Sequence, residues 1–174
     1  MKKLLKQAQN GFTMIEVILV VSLFTMILAF SVPNLFSPLD SSRTNSLTED
    51  VVSLLKEAQA KAINSDTLGQ LTSSNYGVHF DTAAYTLFKG NVYSSADSSN
   101  FSVVVPNGLV VSPNLPCVSL PTDCNNLIFS QITGEVYNFD PTKNSLCLKT
   151  ANNNSSFLIT TNYLGVLNVQ ETAC

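Results

Sequence analysis

The sequence has little charge, a single histidine and no short motif that marks a cofactor site. Charged residues make up 12% of its 174 residues, about half the usual share in a soluble globular protein. The formal net charge of −3 gives no general attraction to the phosphate backbone of nucleic acids. The sequence contains no glycine-rich nucleotide loop and no paired-histidine zinc helix. We therefore expect a protein that is not an enzyme, with no cofactor and no metal site.

The single histidine restricts the catalytic arrangements that the chain can form. A catalytic triad would need His79 next to an exposed serine and a carboxylate. His79 falls at an alternating position of a predicted strand, so we expect a strand-surface or half-buried histidine instead. The acidic residues are too scattered for a calcium loop, and Asp97 in a Ser/Asn loop is the best of a weak set.

The N-terminus contains a long apolar run after a short basic stretch. Residues 1–10 include three lysines, and residues 12–36 contain no charge except Glu16. As a helix, this run extends roughly 37 Å, enough to cross a hydrocarbon core of about 30 Å. The lysines should keep the first residues in the cytoplasm and place the rest outside. A carboxylate at the bilayer centre costs on the order of 2.5–3.5 kcal/mol, so Glu16 needs a partner.

Two other interpretations fit a basic start followed by an apolar run. A secretory signal peptide has the same order. However, this run is longer than usual, and Ser31-Val32-Pro33 is a poor cleavage site for a signal peptidase. A plain signal anchor fits the length of the run but leaves Glu16 unexplained.

The residues around Glu16 resemble a known processing signal. Gly11-Phe12-Thr13-Met14-Ile15-Glu16, after the basic leader and before the apolar run, resembles the type III signal of type IV pilins and pseudopilins. The resemblance implies that a prepilin peptidase cuts between Gly11 and Phe12 and methylates the new amino terminus of Phe12. It also implies that Glu16 neutralises the terminal amine of a neighbouring subunit during assembly. Opposite charges in an apolar layer are costly alone and tolerable together.

Two prolines near the end of the apolar run come before an amphipathic pattern. Pro33 stands where pilins commonly carry a helix-kinking proline, and with Pro38 it predicts a kink or a melted stretch. Residues 37–64 predict the amphipathic half of the same spine, because apolar residues recur at three- and four-residue steps. These positions are Leu47, Val51, Leu54 or Leu55, Ala58 and Ala62. Ser46 and Glu49 have capping-box spacing, although the helix can equally run through them.

Residues 65–174 predict a β-rich head. Short β-branched and aromatic stretches separated by turn residues favour antiparallel strands in two small sheets packed against the spine. The predicted strands are Tyr76–Phe80, Tyr85–Lys89, Phe101–Val105, Leu109–Val111, Leu127–Phe129, Val136–Phe139, Leu146–Lys149, Phe157–Thr160 and Val166–Val169. Hairpin turns are predicted at Asp81–Ala84, Asn107-Gly108 and Gly134-Glu135.

The predicted fold class is therefore α+β and pilin-like. A leader at residues 1–11 precedes a long helix with a transmembrane half at 12–36 and an amphipathic half at 37–64. This helix packs on the antiparallel head at residues 65–174.

Four cysteines lie in the last third of the chain. An even number in a polar, loop-rich domain suggests disulfides and an oxidising compartment. We favour Cys117 with Cys124 and Cys147 with Cys174, because Cys174 at a free terminus would otherwise fray. The alternatives are four free thiols or a zinc site, which the lack of a CxxC motif disfavours.

The order of motifs along the head also resembles a subgroup of the family. Leu54–Ala62, Tyr76–Phe80, Gly134 and Gly165 follow one another as in the H-type minor pseudopilins of type II secretion and the FimT-type minor pilins. The resemblance implies a structural subunit, a minor pilin or pseudopilin, of a type IV pilus or a type II secretion pseudopilus. Its partners would be other pilins. It would reside in the inner membrane with its head outside, and then in a cell-surface or periplasmic filament.

The alternative function is a pilus-tip minor pilin that binds DNA for uptake. FimT-type pilins that bind DNA carry basic residues around the glycine of the last strand, whereas Gly165 is followed by Val166-Leu167-Asn168. Lys143 and Lys149 are the only basic residues after Lys89 in the sequence. These two lysines are therefore the candidates for any contact with DNA.

The predicted cleavage site gives the first test. Replacing Gly11 with leucine should block processing, because the peptidase of this family cuts after a glycine. Mass spectrometry of the protein from membranes should then find residues 1–11 retained, whereas the unchanged chain should begin at Phe12 with a methylated amine. An unchanged chain that keeps its leader would contradict the assignment.

Overall fold

The computed structural model describes residues 12–31, 37–64, 74–117, 124–153 and 155–174. Within them lie two helices, α1 (Met14–Ser31) and α2 (Ser37–Ile63), and eight strands. The strands are β1 (Tyr76–Phe80), β2 (Ala84–Lys89), β3 (Phe101–Val104), β4 (Leu109–Asn114), β5 (Asn126–Phe129), β6 (Ser145–Thr150), β7 (Ser156–Thr161) and β8 (Leu167–Glu171). The chain forms two compact units, Met1–Pro38 and Leu39–Cys174.

The predicted spanning run is described in part. Of the described helices, none is both long enough and apolar enough to cross a membrane. Residues 1–11 and 32–36 lie outside the described residues, so Gly11, the kink at Pro33 and the full span of 12–36 stay predictions. Pro38 is the second residue of α2. A helix tolerates proline there because the missing N–H would have no intrahelical partner. The kink at Pro38 stays a prediction, since the residues just before α2 lie outside the described ones.

The helix α2 buries the apolar face that the sequence predicts. Exposure is 5% or less at all of its positions, which are Leu47, Val51, Leu54, Leu55, Ala58 and Ala62. Thr44 extends this buried face toward the N-terminus, and the hydroxyl of Thr48, which is also buried, donates to the Thr44 carbonyl at 2.8 Å. The predicted amphipathic helix is confirmed. Because α2 begins at Ser37, Ser46 and Glu49 lie inside it rather than at its N-terminal cap.

The strands form two antiparallel sheets, as the sequence predicts. One has the order β3-β2-β1-β5 and the other has the order β4-β6-β7-β8. The strand β1 directs Tyr76, Val78 and Phe80 into the core, and β6 directs Leu146 and Leu148 into it. These side chains and the buried face of α2 belong to a single hydrophobic cluster. The head is therefore built around α2 as much as around its own sheets.

Of three local predictions about the head, the structure confirms one and contradicts two. The hairpin turn at Asp81–Ala84 is confirmed, since the Asp81 N–H donates to the Ala84 carbonyl at 2.9 Å. The turn at Asn107-Gly108 links β3 to β4, which lie in different sheets, so the prediction of a hairpin there is wrong. The predicted strand Val136–Phe139 is also wrong, because Asn138 has a φ of 55° and Val136 makes a single bridge to Phe129.

The C-terminal part of α2 contacts turns from both halves of the head. The Gln59 side-chain amide donates to the carbonyls of Gly134 and Leu164, at 2.9 and 3.2 Å. The two glycines of these turns have positive φ, 70° at Gly134 and 77° at Gly165. A Cβ on Gly134 would lie 2.6 Å from Ile63 and one on Gly165 would lie 2.9 Å from the Gly134 carbonyl. Both turns therefore need glycine, for conformation and for space.

Two disulfides join the four cysteines, in the pairing that the sequence favours. Cys117 pairs with Cys124 and Cys147 pairs with Cys174. The second bond connects β6, an interior strand of its sheet, to the last residue of the chain. It therefore anchors the segment after the edge strand β8.

The glycine turns give a prediction on stability. Gly165→Ala should lower the free energy of unfolding by about 3 kcal/mol, because an unfavourable φ adds to an overpacked contact. Gly108→Ala is the matched control, with a φ of 86° and open space around its Cβ, and should lose about 1 kcal/mol. Denaturant unfolding of the detergent-solubilised chain, followed by near-UV circular dichroism, measures both. Equal losses would show that the close approach to α2 contributes nothing.

The disulfides give a second prediction on stability. Replacing Cys147 and Cys174 together with serine should cost about 3 kcal/mol, because the bond closes a loop with a sequence separation of 27. The same double change at Cys117 and Cys124, separated by 7, should cost about 2 kcal/mol. The same unfolding measurement compares the two variants, and a larger loss from the short loop would contradict the loop-entropy account.

Candidate functional site at the start of α1

Thr13 fixes the position at which α1 begins. Its carbonyl accepts hydrogen bonds from the N–H groups of Glu16 and Val17, at 3.0 and 3.2 Å. Its side-chain hydroxyl oxygen also accepts from the Glu16 N–H, at 3.3 Å. Threonine is a favoured N-cap because its oxygen pairs an N–H that the first turn leaves without a partner. Phe12 is therefore the one residue between the predicted cleavage site and the capped helix.

The side chains of α1 are exposed and apolar on every face. Every described side chain from residue 14 to residue 29 is exposed, and Phe12 is 80% exposed. A helix without a polar face normally lies in a protein core or in a bilayer. The hydroxyls of Ser22 and Thr25 donate to carbonyls three residues earlier, at 2.8 and 2.9 Å. The surface of α1 therefore suits an apolar environment at all points except Glu16.

Glu16 is the single charged residue of α1 and lies in its first turn. Phe12 comes four residues before Glu16, just ahead of the Thr13 cap. Cleavage after Gly11 would create an ammonium group at Phe12, close in sequence to the carboxylate. Negative charge is favourable at the N-terminal end of a helix. The arrangement can thus hold a cation at this end of α1, either from the same chain or from a neighbouring one.

His79 takes part in packing on the outer side of the first sheet. Its Nδ1 lies 2.7 Å from Oδ1 of Asn126 in the neighbouring strand β5. Its ring stacks on Tyr93, with 3.9 Å between ring centroids and an interplanar angle of 8°. The prediction of a half-buried strand histidine is confirmed. Both the ring face and one ring nitrogen have structural partners.

Two acids of the head, Asp97 and Asp140, stabilise turns. Asp97 accepts hydrogen bonds from the N–H and the hydroxyl of Ser99, which lower the pKa of Asp97. Asp140 accepts hydrogen bonds from the hydroxyl and the N–H of Thr142, and these bonds lower the pKa of Asp140. Across the described part of the chain, no group of three or more His, Cys, Asp or Glu side chains could hold a metal ion.

The two lysines of the DNA alternative lie toward opposite ends of one strand. Lys143 lies in the turn before β6, and Lys149 is near the far end of β6. At 3.3 Å per residue, about 20 Å separates them along the chain direction. Lys143 also lies near Asp140 and contributes to lowering the pKa of that carboxyl. Gly165 meets Gln59 and Gly134 rather than open solvent. These placements do not form a concentrated basic surface.

Comparison with known proteins identifies the N-terminal segment. Residues 6–32 match the family model described as the prokaryotic N-terminal methylation motif. This range includes Gly11, Phe12 and Glu16. Among solved structures, the chain is similar to the minor pseudopilin EpsH from the Type 2 Secretion System of Vibrio cholerae. The identity is 16%, the match covers 74% of this chain and 97% of that chain, and the TM-score is 0.49. No curated protein sequence matches the chain.

The fold class is α+β: α1, which lies within the methylation motif, precedes α2, and α2 packs on two antiparallel sheets. The motif match is confined to residues 6–32, and the head lies outside it.

Two residues have a clear role in the structure that the sequence analysis did not predict. Gln59 stands among charged and small helix residues and looks like a solvated position, although it joins two turns. Thr13 caps α1, and the spacing Thr-x-x-Glu from residue 13 to residue 16 could have predicted it.

Proposed function

We propose that the protein is a structural and assembly subunit, a minor pilin or pseudopilin, of a type IV pilus or a type II secretion pseudopilus. It carries out no catalysis. The observation that supports this function is the placement of Glu16, the single charge of an exposed apolar helix, within the methylation motif. A lone carboxylate in apolar surroundings is costly, and removal of the leader supplies the missing positive charge at Phe12.

Assembly then follows from the physical chemistry of this segment. Before cleavage, the apolar run of residues 12–36 holds the chain in the inner membrane with the head outside. The prepilin peptidase removes residues 1–11 and methylates the Phe12 amine. The amine of one subunit and the Glu16 carboxylate of its neighbour then pair in an apolar layer, where an ion pair is far more favourable than two separate charges. The apolar faces of neighbouring α1 helices exclude water around this pair.

The head would supply the contacts that distinguish one subunit from another. Exposed apolar side chains lie beside the turns that Gln59 joins, among them Ile132 at 67% and Leu164 at 59% exposure. Surfaces of this kind are typical of protein contacts. A minor subunit of the H-type or FimT-type subgroup would use such contacts to take its place in the filament.

The proposed role of Glu16 gives a test with two readouts. Glu16→Ala should leave a chain that is cleaved and stays in the membrane, because neither step needs the carboxylate. Its incorporation into sheared filaments should fall at least tenfold, because the amine of the neighbouring subunit then lacks a counter-charge. Mass spectrometry measures cleavage, and immunoblots of filament and membrane fractions measure incorporation.

Glu49→Ala is the matched control, since it removes an exposed carboxylate from α2, outside the apolar run. It should be cleaved and incorporated like the unchanged chain. If Glu16→Ala is incorporated as well as Glu49→Ala, the assembly role of Glu16 is wrong.

A further inference from the structure

We propose that the free edge of β3 is a docking site for an extended segment of a different protein, one that carries a lysine or arginine among apolar residues. The segment adds to the first sheet as a further strand beside β3, and its positive charge pairs with Asp50 in the adjacent groove. This inference goes beyond the proposed function, because every residue on which it depends lies in the head and none of them is Glu16.

The strand β3 presents an open, apolar edge. Among the described strands it pairs with β2 alone, and Phe101 and Val104 are 56% and 74% exposed. Residues 101–105 contain no charged residue and no proline, which are the features that usually keep an exposed edge from pairing with another chain. An edge of this kind is a template to which an extended peptide can add as a strand.

The other three edge strands in the described part of the chain are protected. The segment after β5 covers that strand, since the Tyr137 N–H donates to the Ile128 carbonyl at 2.8 Å. The strand β4 contains Pro113, which has no N–H to offer to another strand. The strand β8 has polar side chains at three of its five positions, which are Asn168, Gln170 and Glu171. We therefore expect strand addition at β3.

The register of β2 and β3 shows which backbone groups of β3 are available. The Val105 N–H donates to the Ala83 carbonyl at 2.9 Å. Because hydrogen-bonded and non-hydrogen-bonded pairs alternate along an antiparallel ladder, residues 103 and 101 also direct their backbone groups to β2. The N–H and C=O groups of Ser102 and Val104 therefore face the free edge, where no described residue bonds to them. Two donors and two acceptors are available to an added strand.

A groove between β3 and α2 lies beside this edge. Its volume is about 290 Å³. The strand β3 contributes Phe101 and Val103 to its lining, and α2 contributes Leu54 with two acids, Asp50 and Glu57. Since alternate residues of neighbouring strands face the same side of a sheet, every second side chain of an added strand points toward this groove. An apolar side chain there meets Leu54 and Phe101, and a basic one meets the acids.

Asp50 is the acid of this groove that no ion pair joins to a described residue. Glu57 already pairs with Lys61, whose amine lies 3.8 Å from the carboxylate. Burial, and then the negative charge of Asp50, raise the pKa of Tyr85 in the groove to about 12. Tyr85 therefore stays neutral at physiological pH, and Asp50 remains the uncompensated charge. A lysine or arginine of the added strand supplies the missing positive charge.

The charge pattern of the chain excludes a second copy as the source of that strand. The edge strands β3, β4, β5 and β8 contain no lysine or arginine. None of them can bring a positive charge beside Asp50, and pairing β3 of two copies would bring together two grooves that each lack a cation. The partner is therefore a different protein, with an extended segment that directs apolar and basic side chains to one side.

A model peptide tests the site on the full-length chain in detergent micelles. The probe is TVTKTVT with blocked ends, which places lysine between two valines on one side of a strand. At saturation, NMR should show that it slows exchange of the Ser102 and Val104 N–H groups about tenfold. The Val103 N–H, which already faces β2, should change little. The peptide TVTETVT should bind about tenfold more weakly, because its glutamate meets Asp50.

Variants of the chain test the charge and the edge separately. Asp50→Asn should weaken binding of TVTKTVT about fivefold, the upper range for an exposed ion pair. Glu49→Gln is the matched control, since it removes an exposed carboxylate that does not line the groove, and should bind normally. Val104→Pro removes an N–H that faces the free edge and should abolish protection at Ser102. Near-UV circular dichroism checks that this variant stays folded.

A second pair of peptides tests strand addition without any change to the protein. Each is TVTKTVT with N-methyl groups at alternate residues, so that one edge of the peptide can no longer donate hydrogen bonds. One of the two should bind and the other should not, because an added strand uses a single edge.

Four results would overturn the proposal. Equal affinity for TVTKTVT and TVTETVT would remove the charge preference, and equal affinity for the two methylated peptides would remove strand addition. Protection of Ser102 and Val104 that rises with protein concentration in the absence of peptide would show that a second copy occupies the edge. No protection at millimolar TVTKTVT would show that the edge of β3 does not accept a strand.

Discussion

The buried face of α2 is the constraint on which the head depends. Neither sheet completes its core alone, since residues from β1 and β6 meet the same row of α2 side chains in one cluster. Near its C-terminal end, α2 also holds a turn that follows β5 and the turn between β7 and β8 through one amide, that of Gln59. These turns follow strands of different sheets, so a single helix residue bonds to a turn from each sheet. The glycines at 134 and 165 are the local condition for this close approach.

The side chains of the two helices suit different surroundings. α2 has one buried face and an exposed polar side, which is the pattern of a helix at the surface of a folded domain. α1 is apolar on every side and exposed at every described position. Its side chains are therefore removed from water only when other apolar groups surround the helix. In the proposed function, the filament supplies these apolar groups. The same physical requirement makes the single charge of α1 costly until it has a partner.

Local sequence patterns were sufficient to predict some helices and strands, but other parts of the structure could not be predicted from them. The α2 face and most strands could be predicted, because three- and four-residue periodicity and runs of β-branched residues are local signals. The sequence Val136–Phe139 carries the same local signal, but Asn138 adopts a left-handed conformation and the segment pairs at Val136 alone. The partners of β3 and β4 depend on which sheet each strand joins, and Asn107-Gly108 contains no information on that. Gln59 and Thr13 act through contacts or capping geometry that residue type alone does not display.

Most polar groups of the head that could suggest chemistry are used by the fold itself. His79 stacks on Tyr93 and pairs with Asn126, and Asp97 and Asp140 hold turns together. These groups stabilise the conformation of the head. Using them in a reaction would break the contacts that hold them in place. Glu16 differs, since its charge serves no packing within the described head and it stands where leader removal would create the opposite charge. A function located at that end of the molecule, in the joining of one chain to another, is therefore the one that its charge distribution supports.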